Sequence, residues 1–104
     1  MSKETKKRYF HATDFKNIHN IMDKGLRPGC NGVVYLTETK EDALKFVIFR
    51  FYEKVVVIEV ELEESEVIEI FDHSYNFFKC RAFGCFNPIP PESMINFWEV
   101  SIKI

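Results

Sequence analysis

An imidazole and two hydroxyl side chains alternate near the start of the chain: Tyr9, His11 and Thr13, with Phe10 and Ala12 between them. Alternate residues of an extended strand share a face, so these three would offer hydrogen-bonding groups to one side. On residue type alone, His11 is a hydrogen-bonded histidine at a strand surface. Tyr35, within the short apolar run Val33 to Leu36, is by default a core aromatic whose hydroxyl reaches the surface. Arg81 carries a planar fork suited to holding a phosphate. Asp72 and His73 leave two readings open: the carboxylate orients a catalytic imidazole, or Asp72 simply caps a turn, because adjacent turn residues usually point apart. Glu59 and Glu61 form a Glu-x-Glu pair, but they alternate opposite a core face and are expected to be solvated. Cys80 and Cys85 are separated by four residues and have no second ligand pair, so no zinc site is expected.

These side chains need a scaffold, and the hydrophobic pattern supplies one. Arg8 to Thr13 reads as a first strand. Thr13 or Asp14 can cap a helix running to about Lys24, with Phe15, Ile18 and Met22 toward the core. Gly25 supplies its left-handed stop, and Pro28 with Gly29 prevents continuation. After the strand Val33 to Leu36, Thr39 caps a second helix over about 40–52, apolar around most of its circumference and so expected to be largely buried. Lys54 to Leu62 is the strongest strand signal, with Val56, Ile58, Val60 and Leu62 on one face. Short strands are expected at 67–71 and 81–86, and a final amphipathic one over 97–104 with Trp98 and Val100 inward. Asn87 to Pro91 holds three prolines and is expected as a surface turn. Helices early and strands late define an α+β domain with two main helices near the start of the chain and an antiparallel sheet.

Composition bounds the function. With 104 residues, 46% of them hydrophobic and 11 phenylalanines, the chain has material for one core, so residues 1–104 are expected to form a single domain. The net charge of −2 gives no electrostatic support for nucleic-acid binding. The only basic run is Lys3, Lys6, Lys7 and Arg8, and residues 1–7 are expected to be a flexible tail. No apolar stretch reaches the roughly 18 residues of a membrane span, and the charged start is unlike a secretory leader. Three cysteines, an odd number, fit free thiols in a cytoplasmic setting without membrane partners.

Four strings in order, Tyr9-Phe10-His11-Ala12-Thr13, Asp23-Lys24-Gly25-Leu26, Val34-Tyr35-Leu36-Thr37 and Ile89-Pro90-Pro91-Glu92, resemble the ADP-ribosyltransferase superfamily, above all its small prokaryotic and phage-type branches and the related RNA 2'-phosphotransferases. The likeness covers roughly residues 8 to 95. It implies a split antiparallel sheet around a cleft that binds NAD, and transfer of ADP-ribose to a protein or nucleic-acid acceptor. In that frame His11 and Thr13 would hydrogen-bond a ribose, Tyr35 would stack on the nicotinamide, and Thr37 would line the same cofactor site. The family usually places a catalytic glutamate late, after the Tyr element, but here the stretch 79–86 contains no acid and Arg81 stands in that region. Glu92 is the nearest following carboxylate, with Arg81 or His73 assisting. The competing expectation is a non-catalytic domain that binds a nucleotide or ADP-ribose, or acts as a protein inhibitor.

Overall fold

The computed structural model describes residues 5–29, 32–50, 52–70 and 81–102. Among them six strands and two short helices form an α+β fold with two antiparallel three-stranded sheets. The first sheet is ordered β1 (Lys6–Asp14), β3 (Lys54–Glu63), β6 (Met94–Ser101); the second is ordered β2 (Val34–Leu36), β5 (Ala82–Cys85), β4 (Val67–Ile70). β1 begins at Lys6, so Lys6 and Lys7 belong to the sheet and not to a tail; they pair with Glu63 and Leu62.

The two sheets meet where β1 and β2 touch. Phe10 and Thr37 form an isolated antiparallel bridge, exchanging N–H···O bonds of 2.8 and 2.9 Å. Residues opposite each other in an antiparallel pair share a face, and the register sets Tyr9 against Val60, His11 against Ile58 and Thr13 against Val56. That face carries the main core, in which Val56, Ile58 and Val60 pack with Leu36, Phe83, Cys85 and, from the first helix, Ile18 and Ile21. Each such fully buried aliphatic side chain contributes about 1.5–3 kcal/mol relative to exposure.

The first helix differs in phase from its expected form. Asp14 does cap the turn, accepting from the Lys16 N–H at 3.1 Å, but the chain opens with a 3-10 turn over Phe15–Asn17 before α1 (Ile18–Lys24). Three residues per turn instead of 3.6 rotates the helix beyond it about its axis. Ile18 and Ile21 are buried, and Met22, expected inward, is 56% exposed.

Thr39 caps α2 (Lys40–Lys45) as expected, its Oγ1 accepting from the Asp42 N–H at 3.1 Å. The helix stops at Lys45 and passes through a turn into a 3-10 turn over Ile48–Arg50, where i to i+3 bonds join Val47 to Leu44 and Arg50 to Val47. Val47 and Ile48, being β-branched, are weak helix formers. Ala43 and Val47 are buried, whereas Ile48 is exposed. α2 packs on β1 and β3, and the Lys40 ammonium lies 4.3 Å from the Trp98 ring centre.

Two further expectations are corrected. Ile89, in the proline-rich turn, is fully buried, because it bridges Leu26 with N–H···O bonds of 2.7 and 2.8 Å. Glu59, expected to be solvated, is only 6% exposed. It lies opposite Phe10 on one side and Asn96 on the other, accepting from Asn96 Nδ2 at 2.8 Å, with Arg8 Nη1 at 3.6 Å.

Candidate functional site

Among the described residues, the Phe10–Thr37 bridge is isolated, and next to it on β1 the His11 side chain reaches across to the β2 main chain. Its Nδ1 lies 2.7 Å from the Tyr35 carbonyl oxygen. A carbonyl only accepts, so Nδ1 carries the proton and donates, and in a neutral ring Nε2 is left as an acceptor. Burial pushes the imidazole below its ordinary value of 6.5, outweighing the opposing effect of the Tyr35 bond. The ring is therefore neutral at pH 7, and stability depends on keeping it so. The unfolded chain takes up a proton near pH 6.5 and the native state resists it, so the contribution is complete above that pH and is lost as the pH falls toward the lowered native value. About 1.4 kcal/mol is at stake for each pH unit separating the two. Urea unfolding at pH 7.5 and pH 5 should show wild type losing more stability than His11→Gln over that interval; equal losses would contradict the assignment.

His11 and Tyr35 meet through the main chain, not ring to ring. Val34 and Leu36 point into the core with Tyr9, so strand alternation turns Tyr35 to the opposite face, opposite Gly84 and Ile68 across β5 and β4. Tyr9 is a core residue, 3% exposed, its ring 5.4 Å from that of Phe83. Thr13 remains half-buried and its Oγ1 accepts from Asn17 Nδ2 at 3.2 Å. The Thr37 hydroxyl is spent: it donates to the Thr39 carbonyl at 2.8 Å and the residue is 2% exposed. Just past Thr13, a hollow of about 440 Å³ is lined by Asp14, Phe15, Lys16, Tyr52, Glu53 and Lys54.

Arg81 is not free to clamp a phosphate. Its Nε and Nη2 donate to the two carboxylate oxygens of Glu69, both at 2.8 Å, and Nη1 reaches Glu38 Oε1 at 3.3 Å. Lys7 Nζ holds the other Glu38 oxygen at 2.9 Å. The Arg81 hydrogen bonds draw Glu69 below the usual carboxylate range, and Glu38 raises Lys7. Lys7 and Arg81 both lie over the Phe83 ring, at 5.7 and 5.1 Å from its centre. This chain of charges runs from β1 to β4 across the joint between the sheets. Sequence reasoning missed Glu38 and Glu69; the only available signal was Glu38 directly after the Tyr35-Leu36-Thr37 string.

Glu92 is exposed in the 3-10 turn Pro91–Ser93 that leads into β6. β6 is two strands from β1, about 10 Å at ordinary strand spacing. Asp72, His73 and Cys80 lie outside the described residues. Cys85 is a buried free thiol, pushed up by burial and bonded to the Asn87 carbonyl. Among the described residues no His, Cys, Asp and Glu cluster could hold a metal ion, and no helix is long and apolar enough to cross a membrane.

The sequence matches no protein-family model and no curated protein.

Proposed function

We propose that this chain is a small ADP-ribosyltransferase-like domain that binds NAD beside the joint between its two sheets and transfers ADP-ribose to a protein or nucleic-acid acceptor. The supporting observation is the joint itself: β4-β5-β2 and β1-β3-β6 are bridged at Phe10–Thr37, and the adjacent His11 has Nδ1 on the Tyr35 carbonyl. A neutral imidazole fixed in that tautomer offers Nε2 to a ribose hydroxyl, which can donate to it. Thr13, one strand repeat further on the same face, adds a second hydroxyl contact beside the hollow at Asp14. These groups suit a sugar. Tyr35 contributes its carbonyl to positioning His11, and ring stacking is not part of this proposal.

A second reading, a non-catalytic domain that binds NAD or ADP-ribose, is favoured by one observation: the residue just before β5 is Arg81, locked to Glu69 and Glu38, in the region where the resemblance calls for a catalytic carboxylate.

A ligand selective for the native state raises its stability by RT ln(1 + [L]/Kd), about 2.7 kcal/mol at a hundredfold excess over Kd. NAD should therefore raise the melting temperature of wild type by several degrees and leave His11→Ala nearly unmoved. Release of nicotinamide over hours would select the enzyme over the binder. No shift with NAD or ADP-ribose would reject both.

A further inference from the structure

β6 (Met94–Ser101) is the outer strand of the first sheet, and among the described residues no strand lies on its far side. The phase of its main chain follows from one bond: the Ile102 N–H donates to the Glu53 carbonyl at 2.9 Å, just past the Lys54–Ser101 pair. Successive residues of an antiparallel strand turn their N–H and C=O groups to alternate sides. Trp98 and Val100, in phase with Ile102, therefore bond β3, and Phe97, Glu99 and Ser101 direct theirs outward. Unpaired groups in such a row are a template for another strand.

Natural edges are blunted by lysine, proline or bulges. Over Asn96–Ser101 β6 has none of these; its irregularity lies at Ile95, which the register with β3 skips. Phe97 is 37% exposed and Ile95 39%. The one charge on the strand, Glu99, is held by Lys54 Nζ at 2.7 Å. An edge neutralised in this way does not attract an acidic or basic peptide, and it does not repel a copy of itself.

We propose that β6 pairs antiparallel with β6 of a second copy of this chain, about a two-fold axis at Trp98, joining the two first sheets into one. Charge selects the axis. Centred on Glu99, the pairing would set that carboxylate opposite the partner's Glu99, and like charges directly opposed are destabilising. Centred on Phe97, it would set Glu99 against the irregular Ile95. Centred on Trp98, Phe97 lies opposite the partner's Glu99, and Glu99 opposite the partner's Phe97, each pair exchanging both N–H···O bonds. The two Trp98 residues then face each other in a non-hydrogen-bonded pair, with Cα atoms about 4.5 Å apart, where aromatic side chains pair favourably. One strand from each copy buries far less than the roughly 1,200 Å² of a stable complex, so the dimer is weak and concentration-dependent. This inference does not depend on NAD binding.

Sedimentation equilibrium from about 10 µM to about 1 mM, the range of a weak pairing, should show the mean mass climb from 12.3 kDa toward twice that value. Over the same range, exchange of the Phe97 and Glu99 amide hydrogens should slow several-fold, while Trp98 and Val100, bonded within the chain, keep their protection unchanged. Glu99→Pro removes an outward donor and no bond to β3, a placement in which an edge strand tolerates proline. It should weaken self-association at least ~10-fold. Glu99→Gln keeps the donor and should associate within about threefold of wild type, because an exposed ion pair contributes little. If Glu99→Pro does not fold, the mass and exchange of wild type decide alone. A mass that stays at 12.3 kDa, association unchanged in a folded Glu99→Pro, or Phe97 and Glu99 amides equally protected at every concentration overturns the proposal.

Discussion

Gly25→Ala should cost roughly 3–5 kcal/mol, a size reached only by a few mechanisms such as forced backbone strain or clash. Gly25 ends α1 with φ 81° and ψ −169°, a region that is essentially restricted to glycine. Its N–H caps the helix on the Ile21 carbonyl at 2.7 Å, and the extended ψ swings Leu26 out to bridge Ile89. An added Cβ would meet the Ile89 carbonyl oxygen at 2.1 Å, an atom held by the Leu26 N–H. Neither partner can yield without breaking the bridge that buries both Leu26 and Ile89. Chemical denaturation measures this directly: a midpoint shift with unchanged slope is expected, and a loss below about 1 kcal/mol would mean the turn is free to rearrange.

Ile58→Ala should cost nearly as much, about 3–4 kcal/mol, with Ile58→Val nearer 1 kcal/mol. Ile58 is fully buried at the middle of the central strand β3, opposite His11 on one side and Phe97 on the other. Removing three carbons there leaves a cavity beneath the imidazole that a strand paired on both sides cannot close. At 4–8 °C per kcal/mol for a domain of this size, the Ala variant should melt well over 10 °C lower. A loss similar to that of the Val variant would place Ile58 outside a tightly packed core.

Much of this scaffold was legible because it depends on local pattern. The alternation of Val56, Ile58, Val60 and Leu62 defines β3 and its core face, Gly25 marks the end of α1, and Thr39 marks the start of α2. The errors have physical causes. The 3-10 entry over Phe15–Asn17 turned the helix phase, exchanging Met22 for Ile21. The apolar run after Lys45 gives equal support to a longer helix or to packed turns, and the backbone took the tighter form. Glu59 was misread because alternation identifies two faces but cannot say that both are covered; Phe10, Asn96 and Arg8 surround it.

The candidate site was half legible. A His and a Thr on alternate positions are a local signal, and both lie on the face that β1 turns to the core. Arg81, Glu38, Glu69 and Lys7 come from four separate elements, and their meeting depends on the β1–β2 bridge and on a β4–β5 register that sets Glu69 against Phe83. No periodicity within one segment encodes such a register. The two carboxylate partners of Arg81 are visible only in the fold.

The proposal that NAD binds beside the sheet joint through His11 is tested most directly by nitrogen NMR of the His11 ring during an NAD titration. The free protein should show the neutral tautomer with its proton on Nδ1, and saturation should move the Nε2 resonance as a ribose hydroxyl donates to it, with Nδ1 still bonded to the Tyr35 carbonyl. An Nε2 resonance that stays fixed at saturating NAD, or a ring carrying its proton on Nε2, would contradict the account.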